Sequence, residues 1–95
     1  MSPGELEEIL RRVFDPVHLV VEDLSRLHAS HAEARATGGG HYSVTIVSQR
    51  FSGRARLERH RMVHEALAAQ LEGAIHALSI RALDPEEWKA AGWAK

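Results

Sequence analysis

Cysteine is absent from this chain of 95 residues. That excludes a disulfide framework, a thiol nucleophile, a zinc ribbon and any metal cluster held by the chain's own thiolates. Aromatics are scarce, with two Trp, two Phe and one Tyr, and the formal net charge is −1. Both argue against general nucleic-acid binding by charge and stacking. No apolar run approaches the roughly 20 residues of a membrane span. The opening MSPGELEEIL is acidic and has no basic region leading into an apolar stretch, so no signal peptide is expected. The expectation is a soluble cytoplasmic protein without membrane contact. A chain this short buries about 60–65% of its unfolded surface, so its whole length (1–95) is expected to serve one domain. What is plentiful is histidine, with seven copies. Without thiols, His, Asp and Glu are the strong metal ligands left.

Hydrophobic spacing gives the order of elements. Ser2, Pro3 and Glu5 form a helix-start signature, and Leu6, Ile9, Leu10 and Val13 follow at helical spacing. Asp15-Pro16 ends that helix, because proline pushes the residue before it out of the helical region. Residues 17–22 are rich in β-branched side chains and predict a strand. Residues 23–40 form a long polar connection closing on Gly38-Gly39-Gly40; connections this long are uncommon in small domains. Residues 41–48 alternate as a strand with one buried face. Phe51-Ser52-Gly53 predicts a turn. Residues 54–72 predict the longest helix, with Leu57, Val63, Ala66, Leu67 and Leu71 on or near one face and Gly73 as its stop. Residues 75–82 predict a third strand. Asp84-Pro85-Glu86-Glu87 opens a short final helix carrying Trp88, and 89–95 is expected to fray. The order α-β-β-α-β-α predicts an antiparallel pair and then a right-handed crossover to a parallel third strand. The fold class is α+β, a three-stranded mixed sheet covered on one face by helices.

Three groups of residues could carry chemistry. His28 and His31 lie in the long connection, and His76 opens the third strand on the face shared with Leu78 and Ile80. A connection histidine could approach His76, and two neutral imidazoles suit zinc, iron or copper. Two ligands do not close a tetrahedral site, so the remainder would come from another molecule. The plainer account is a half-packed strand-end histidine and two solvated ones. His60 and His64 are four apart on the long helix, but Arg61 stands where a metalloprotease motif has its Glu base. The third group is basic: Arg50, Arg54, Arg56, Arg59 and Arg61 fall within twelve residues. Cations in the first turns of a helix oppose its dipole by a few tenths of a kcal/mol, a hint of phosphate or acidic-partner contact. The plainer account is a solvated face paired with Glu58 and Glu65. No nucleophile elbow, phosphate loop or paired carboxylates appear, and the triple glycine precedes a strand, as a hinge does. No enzymatic activity is expected.

The blocks V-S-Q-R-F-S-G (47–53), R-H-R-M-V-H-E-A-L (59–67), I-H-A-L-S-I (75–80) and P-E-E-W (85–88) resemble the BolA family. D-L-S-R-L-H-A-S-H-A (23–32) is similar to that family's D-E-S-x-x-H loop, with Leu24 where Glu is usual. The resemblance covers roughly residues 5–88. It implies a class II KH-like fold, α-β-β-α-α-β-α, with a short helical turn split from the front of the long helix. It also implies a partner, a monothiol glutaredoxin of the C-G-F-S type, sharing a 2Fe-2S cluster. The glutaredoxin cysteine and a glutathione thiol would hold one side of the cluster. The histidine of the H-A-L-S strand, His76, and a connection ligand would hold the other. The D-x-S-x-x-H pattern places that ligand at His28, with His31 as the close alternative. Imidazole ligation raises a cluster's potential and makes binding sensitive to pH, since a protonated imidazole cannot ligate.

The function implied is a non-enzymatic adaptor in iron–sulfur and iron homeostasis. The alternative is a DNA-binding regulator of stress response and morphology, using Arg54, Arg56, Arg59 and Arg61 on the KH-like face. Gly53-Arg54-Ala55-Arg56 lacks the second glycine of a nucleic-acid-binding KH loop, which argues against RNA binding of that type.

Overall fold

A computed structural model describes residues 3–24, 40–72 and 75–92, without the side chains of Ile75 and His76. The elements are α1 (Pro3–Phe14), β1 (His18–Asp23), β2 (Gly40–Val47), a 3-10 turn (Gln49–Phe51), α2 (Arg56–Ala66), α3 (Ala68–Leu71), β3 (Ile75–Leu83) and α4 (Pro85–Ala90). The sheet runs β1-β2-β3, antiparallel between β1 and β2 and parallel between β2 and β3. The expected α+β topology is therefore present, with the long helix as crossover. Ser2 and Gly73 lie outside the described residues, as do residues 25–39.

Alternation in β2 directs Tyr42, Val44 and Ile46 into one core. They pack there with Leu6, Leu10 and Phe14 of α1, Leu19 of β1, Phe51, Val63 and Leu67. The rings of Phe14 and Phe51 meet at 5.1 Å between centroids. Ser48 ties the end of α1 to the 3-10 turn: its buried hydroxyl donates to the Phe14 carbonyl at 2.7 Å and accepts from the Arg50 amide at 3.2 Å. Asp15, squeezed between helix end and proline, has φ 46°, the left-handed geometry that closes many helices. Gly53 (φ 74°) lets the chain turn from the 3-10 segment toward α2, where a Cβ would be strained.

Two expectations about the long helix are corrected. It begins at Arg56 rather than Arg54, after a separate 3-10 turn such as the resemblance implied, and breaks again at Leu67 into α2 and α3. Leu57 is not a core residue but 63% exposed. It precedes Val63 by six residues, about one and two-thirds turns, which swings it off the buried face. The buried line of α2 is instead Arg59 and Val63, continued by Leu67 at i+8.

Arg59 is thus a guanidinium in a core position, 8% exposed, and buried charge is tolerated only with partners. Its Nε donates to the Arg54 carbonyl at 2.8 Å. Its Nη1 donates to the Ala82 carbonyl at 3.1 Å and to Glu87 Oε1 at 2.6 Å. Its Nη2 is 4.0 Å from Asp84 Oδ2. Glu87 also completes the expected capping box of α4, accepting from the Asp84 amide at 2.9 Å while its own amide donates to Asp84 Oδ1 at 2.8 Å. The bond from the Asp84 backbone, then the Arg59 bond, hold the Glu87 carboxyl below its ordinary range.

That anchorage carries α4 across the end of the sheet, and Trp88 stacks on His18 at 4.8 Å, 19° between ring planes. Val47, flanked on the sheet by His18 and Leu83, is fully buried although alternation turns it to the face opposite Ile46 and the main core. The helix therefore includes Lys89 and Ala90, which were expected to fray.

Arg59→Met should cost about 3 kcal/mol, because it strands the partners of a buried charge, with Arg59→Lys recovering less than half because it lacks the planar fork. Glu87→Gln should cost about 1 kcal/mol at pH 7, discounted for the half-exposed carboxylate. Since folding favours the ionised carboxylate, that contribution is complete above the unfolded value of about 4.3 and fades as pH falls through the lower folded value. Urea unfolding should show the wild type and Glu87→Gln converging toward pH 3. Ser48→Ala should cost about 1–2 kcal/mol by the same measurement, through one lost buried bond and one lost cap.

Candidate functional site

The residues singled out in the sequence fall in two regions of the chain. The first is the corner where the connection between β1 and β2 leaves and rejoins the sheet. The Leu24 amide donates to the His41 carbonyl at 2.8 Å, so the connection's two ends are pinned together. Gly40, where it rejoins, pairs with Ile75 at the start of β3, whereas the next residue of β2, His41, pairs with Ala77. One residue of β3 is therefore extra in the register, and that residue is His76. Bulges of this kind break the ladder, recur beside functional sites and re-aim a side chain. The side chain of His76, and the whole of His28 and His31, lie outside the described residues.

The spans are nonetheless constrained by chain geometry. Leu24 extends β1 and is separated from β3 by two strand spacings, about 10 Å. His28 follows it by four residues, a maximum reach of about 14 Å. Either connection histidine can reach the start of β3. Among the described residues, no three His, Asp or Glu side chains converge on a metal-sized site.

The second place is an open cleft of about 540 Å³ between the start of α2, the outer edge of β3 and the start of α4, lined by Arg54, Arg56, Arg59, His60, Arg81 and Glu87 together with Ile80, Ala82 and Leu83. This corrects the arginine face. Arg59 is buried and spent on internal partners, so it cannot also serve a phosphate. Arg54 pairs with Glu58 across an exposed turn, a contact of little energetic value. Arg56 and Arg61 are exposed. His60 lines the cleft while His64, one turn on, is exposed. Arg81 was missed by the sequence reading, because its neighbourhood to Arg54 and Arg56 arises only when β3 crosses to the front of α2. The burial of Arg59 did leave a signal: it falls four residues before Val63 and eight before Leu67.

Comparison with known proteins identifies the family and the fold. The family described as BolA-like protein matches residues 10–87. The chain is 41% identical over 86 residues to the SufE-like protein 1, chloroplastic/mitochondrial, of Arabidopsis thaliana, covering 86% of this chain and 23% of that protein. It is 40% identical over 86 residues to Protein BOLA1, chloroplastic, of the same plant, covering 88% and 54%. The chain thus spans between a quarter and about half of these relatives. Against the DNA-binding transcriptional regulator BolA of Escherichia coli it is 39% identical over 89 residues, covering 94% of this chain and 81% of that one. Among solved structures, a bol-like protein from Babesia bovis superposes with TM-score 0.81 at 35% identity, covering 97% and 94%. BolA1 from Arabidopsis thaliana gives 0.78 at 37% identity, covering 92% and 95%. With its sheet order, its crossover and the four sequence blocks in place, the chain belongs to the BolA family.

Proposed function

We infer that this chain is an adaptor that co-ligates a 2Fe-2S cluster with a monothiol glutaredoxin, in iron–sulfur or iron homeostasis. The observation that carries the reading is the register shift: the one extra residue of β3 is His76, next to the pair Gly40–Ile75 where the histidine-bearing connection rejoins the sheet. The donor set fits a shared cluster. The chain has histidines at this corner and no cysteine, so His76 and His28, or His31, would hold one side and the glutaredoxin and glutathione thiolates the other. Such a cluster supplies one-electron chemistry and transferable iron, at a potential raised by imidazole ligation. The chain's own part is to present two neutral imidazoles, one from β3 and one from the connection between β1 and β2. One relative is named SufE-like, a name borne by a protein about four times the length matched here.

The DNA-binding reading rests on the name of the Escherichia coli relative more than on a constellation in this chain, since Arg59 is withdrawn from the face. If Arg54, Arg56 and Arg61 do contact duplex phosphates, the log–log salt slope from this face should be no steeper than about −3, and their replacement by Gln should flatten it. Absence of DNA retardation at about 50 mM salt removes direct DNA binding from consideration.

The test of the adaptor reading is co-expression with a C-G-F-S glutaredoxin, followed by ultraviolet-visible spectra of the purified pair. His76→Ala should abolish the imidazole-type signature. His28→Ala should shift it, with partial rescue by His31. A spectrum unchanged in His76→Ala would show that this residue is not a ligand.

A further inference from the structure

We propose that His60 and His64, one turn apart on α2, form a surface site for one divalent transition-metal ion of the copper(II) type. Two imidazoles hold the ion, and water or a small oxygen ligand fills its remaining positions. The inference does not depend on the cluster reading, because His76 opens β3 whereas His60 lies beside Ile80 to Leu83 at that strand's other end. Its basis is a pair of imidazoles at ligand spacing that the rest of the fold leaves unused.

Both residues lie inside the eleven-residue α2. Residues four apart on a helix have Cβ atoms about 5–6 Å apart on one face, the spacing at which the two histidines of a helical zinc motif share one ion. The helix ladder holds on either side of the pair, with the Arg59 amide donating to the Ala55 carbonyl and the Leu67 amide to the Val63 carbonyl. His64 is exposed and His60 is half-buried on the wall of the cleft. Neither belongs to the hydrophobic core. Among the described residues neither ring makes a hydrogen bond, an ion pair or a ring contact. The donor nitrogens are therefore available.

The surroundings select the kind of ion. Glu58 precedes His60 by two residues, and side chains two apart do not face each other. Glu65 lines a different groove, with Val13, Phe14 and Met62. The protein thus supplies two nitrogens and no carboxylate. That leaves a tetrahedral zinc site half filled. It suits a tetragonal ion that takes two adjacent imidazoles and oxygen donors elsewhere, copper(II) before nickel(II). The open cleft beside His60, about 540 Å³, has room for those donors. With Arg61 in place of a Glu base, the pair can ligate but has no neighbouring base for hydrolysis. Arg56, one turn before His60, and Arg61 are exposed and unpartnered among the described residues. Their charges oppose a dication, which weakens the site and gives it an electrostatic signature.

The experiment is amide-resolved NMR on the full chain titrated with copper(II) chloride in a non-chelating buffer. The unpaired electron should broaden the α2 amides as a group separate from any broadening at the start of β3. His64→Ala, a surface change, should abolish the α2 group alone. Nickel(II) chloride should compete for the same amides. Replacing Arg56 and Arg61 by Gln should tighten copper binding at α2 about threefold, the size of a screened surface repulsion. Broadening confined to the start of β3 would overturn the proposal, as would no binding at all. So would α2 broadening that persists in His64→Ala, or an affinity that fails to rise in the arginine variant. A doubling of mass in light scattering when copper is added would assign the ion to two copies of α2 and sink the one-chain site.

Discussion

Arg59 holds the arrangement together because it is a charge placed where a helix normally puts an aliphatic side chain. A buried guanidinium is stable only when its donors are met. Here they are met by the entry to α2, the end of β3 and the cap of α4. Satisfying that one group fixes where β3 ends relative to α2 and where α4 starts. Trp88 then lands on His18, the strand partner of the fully buried Val47. Replacing such a network by hydrocarbon need not weaken a protein, and its benefit is as much in uniqueness as in stability. In this fold the uniqueness concerns α4, which is six residues long and too short to hold its place by its own ladder.

Much of the architecture was legible because it is local. The helix-start signature at Asp84, the alternation of Tyr42, Val44 and Ile46, and the stop at Asp15-Pro16 each depend on residues within a turn or two of one another. The connectivity rule for crossovers then supplied the parallel β2–β3 pairing. What was not legible was relational. Leu57 looked like core because it is apolar and near Val63 in sequence, but helical geometry puts six residues of separation on different faces. Arg59 looked like surface because it is charged, although its phase with Val63 and Leu67 placed it inside. Leu67 breaks the long helix without a glycine or proline to announce it.

The candidate site divides in the same way. The histidines could be found by counting and by motif, and the closeness of the ends of the β1–β2 connection to the start of β3 followed from the order of strands. The register shift at His76 could not, since a bulge is a property of two strands and appears in neither alone. The cationic cleft was half visible: Arg54 and Arg56 belong to a sequence cluster, whereas Arg81 joins them through the crossover. Reading the cluster as one uniform surface concealed that its members do different work, Arg59 inward and Arg56 outward.

The hydrogen bond from Leu24 to His41 closes the ladder beneath the connection that carries His28 and His31. Whatever happens between those two residues, the sheet meets the same pair of chain ends at the same spacing. Closure entropy rises only with the logarithm of length, about 0.6 kcal/mol for each doubling. The connection can therefore lengthen, shorten or change its sequence at small cost to the scaffold. The fold behaves as a socket with an interchangeable insert. Its descendants are free to change that segment by insertion, deletion or substitution while the rest of the protein stays as it was.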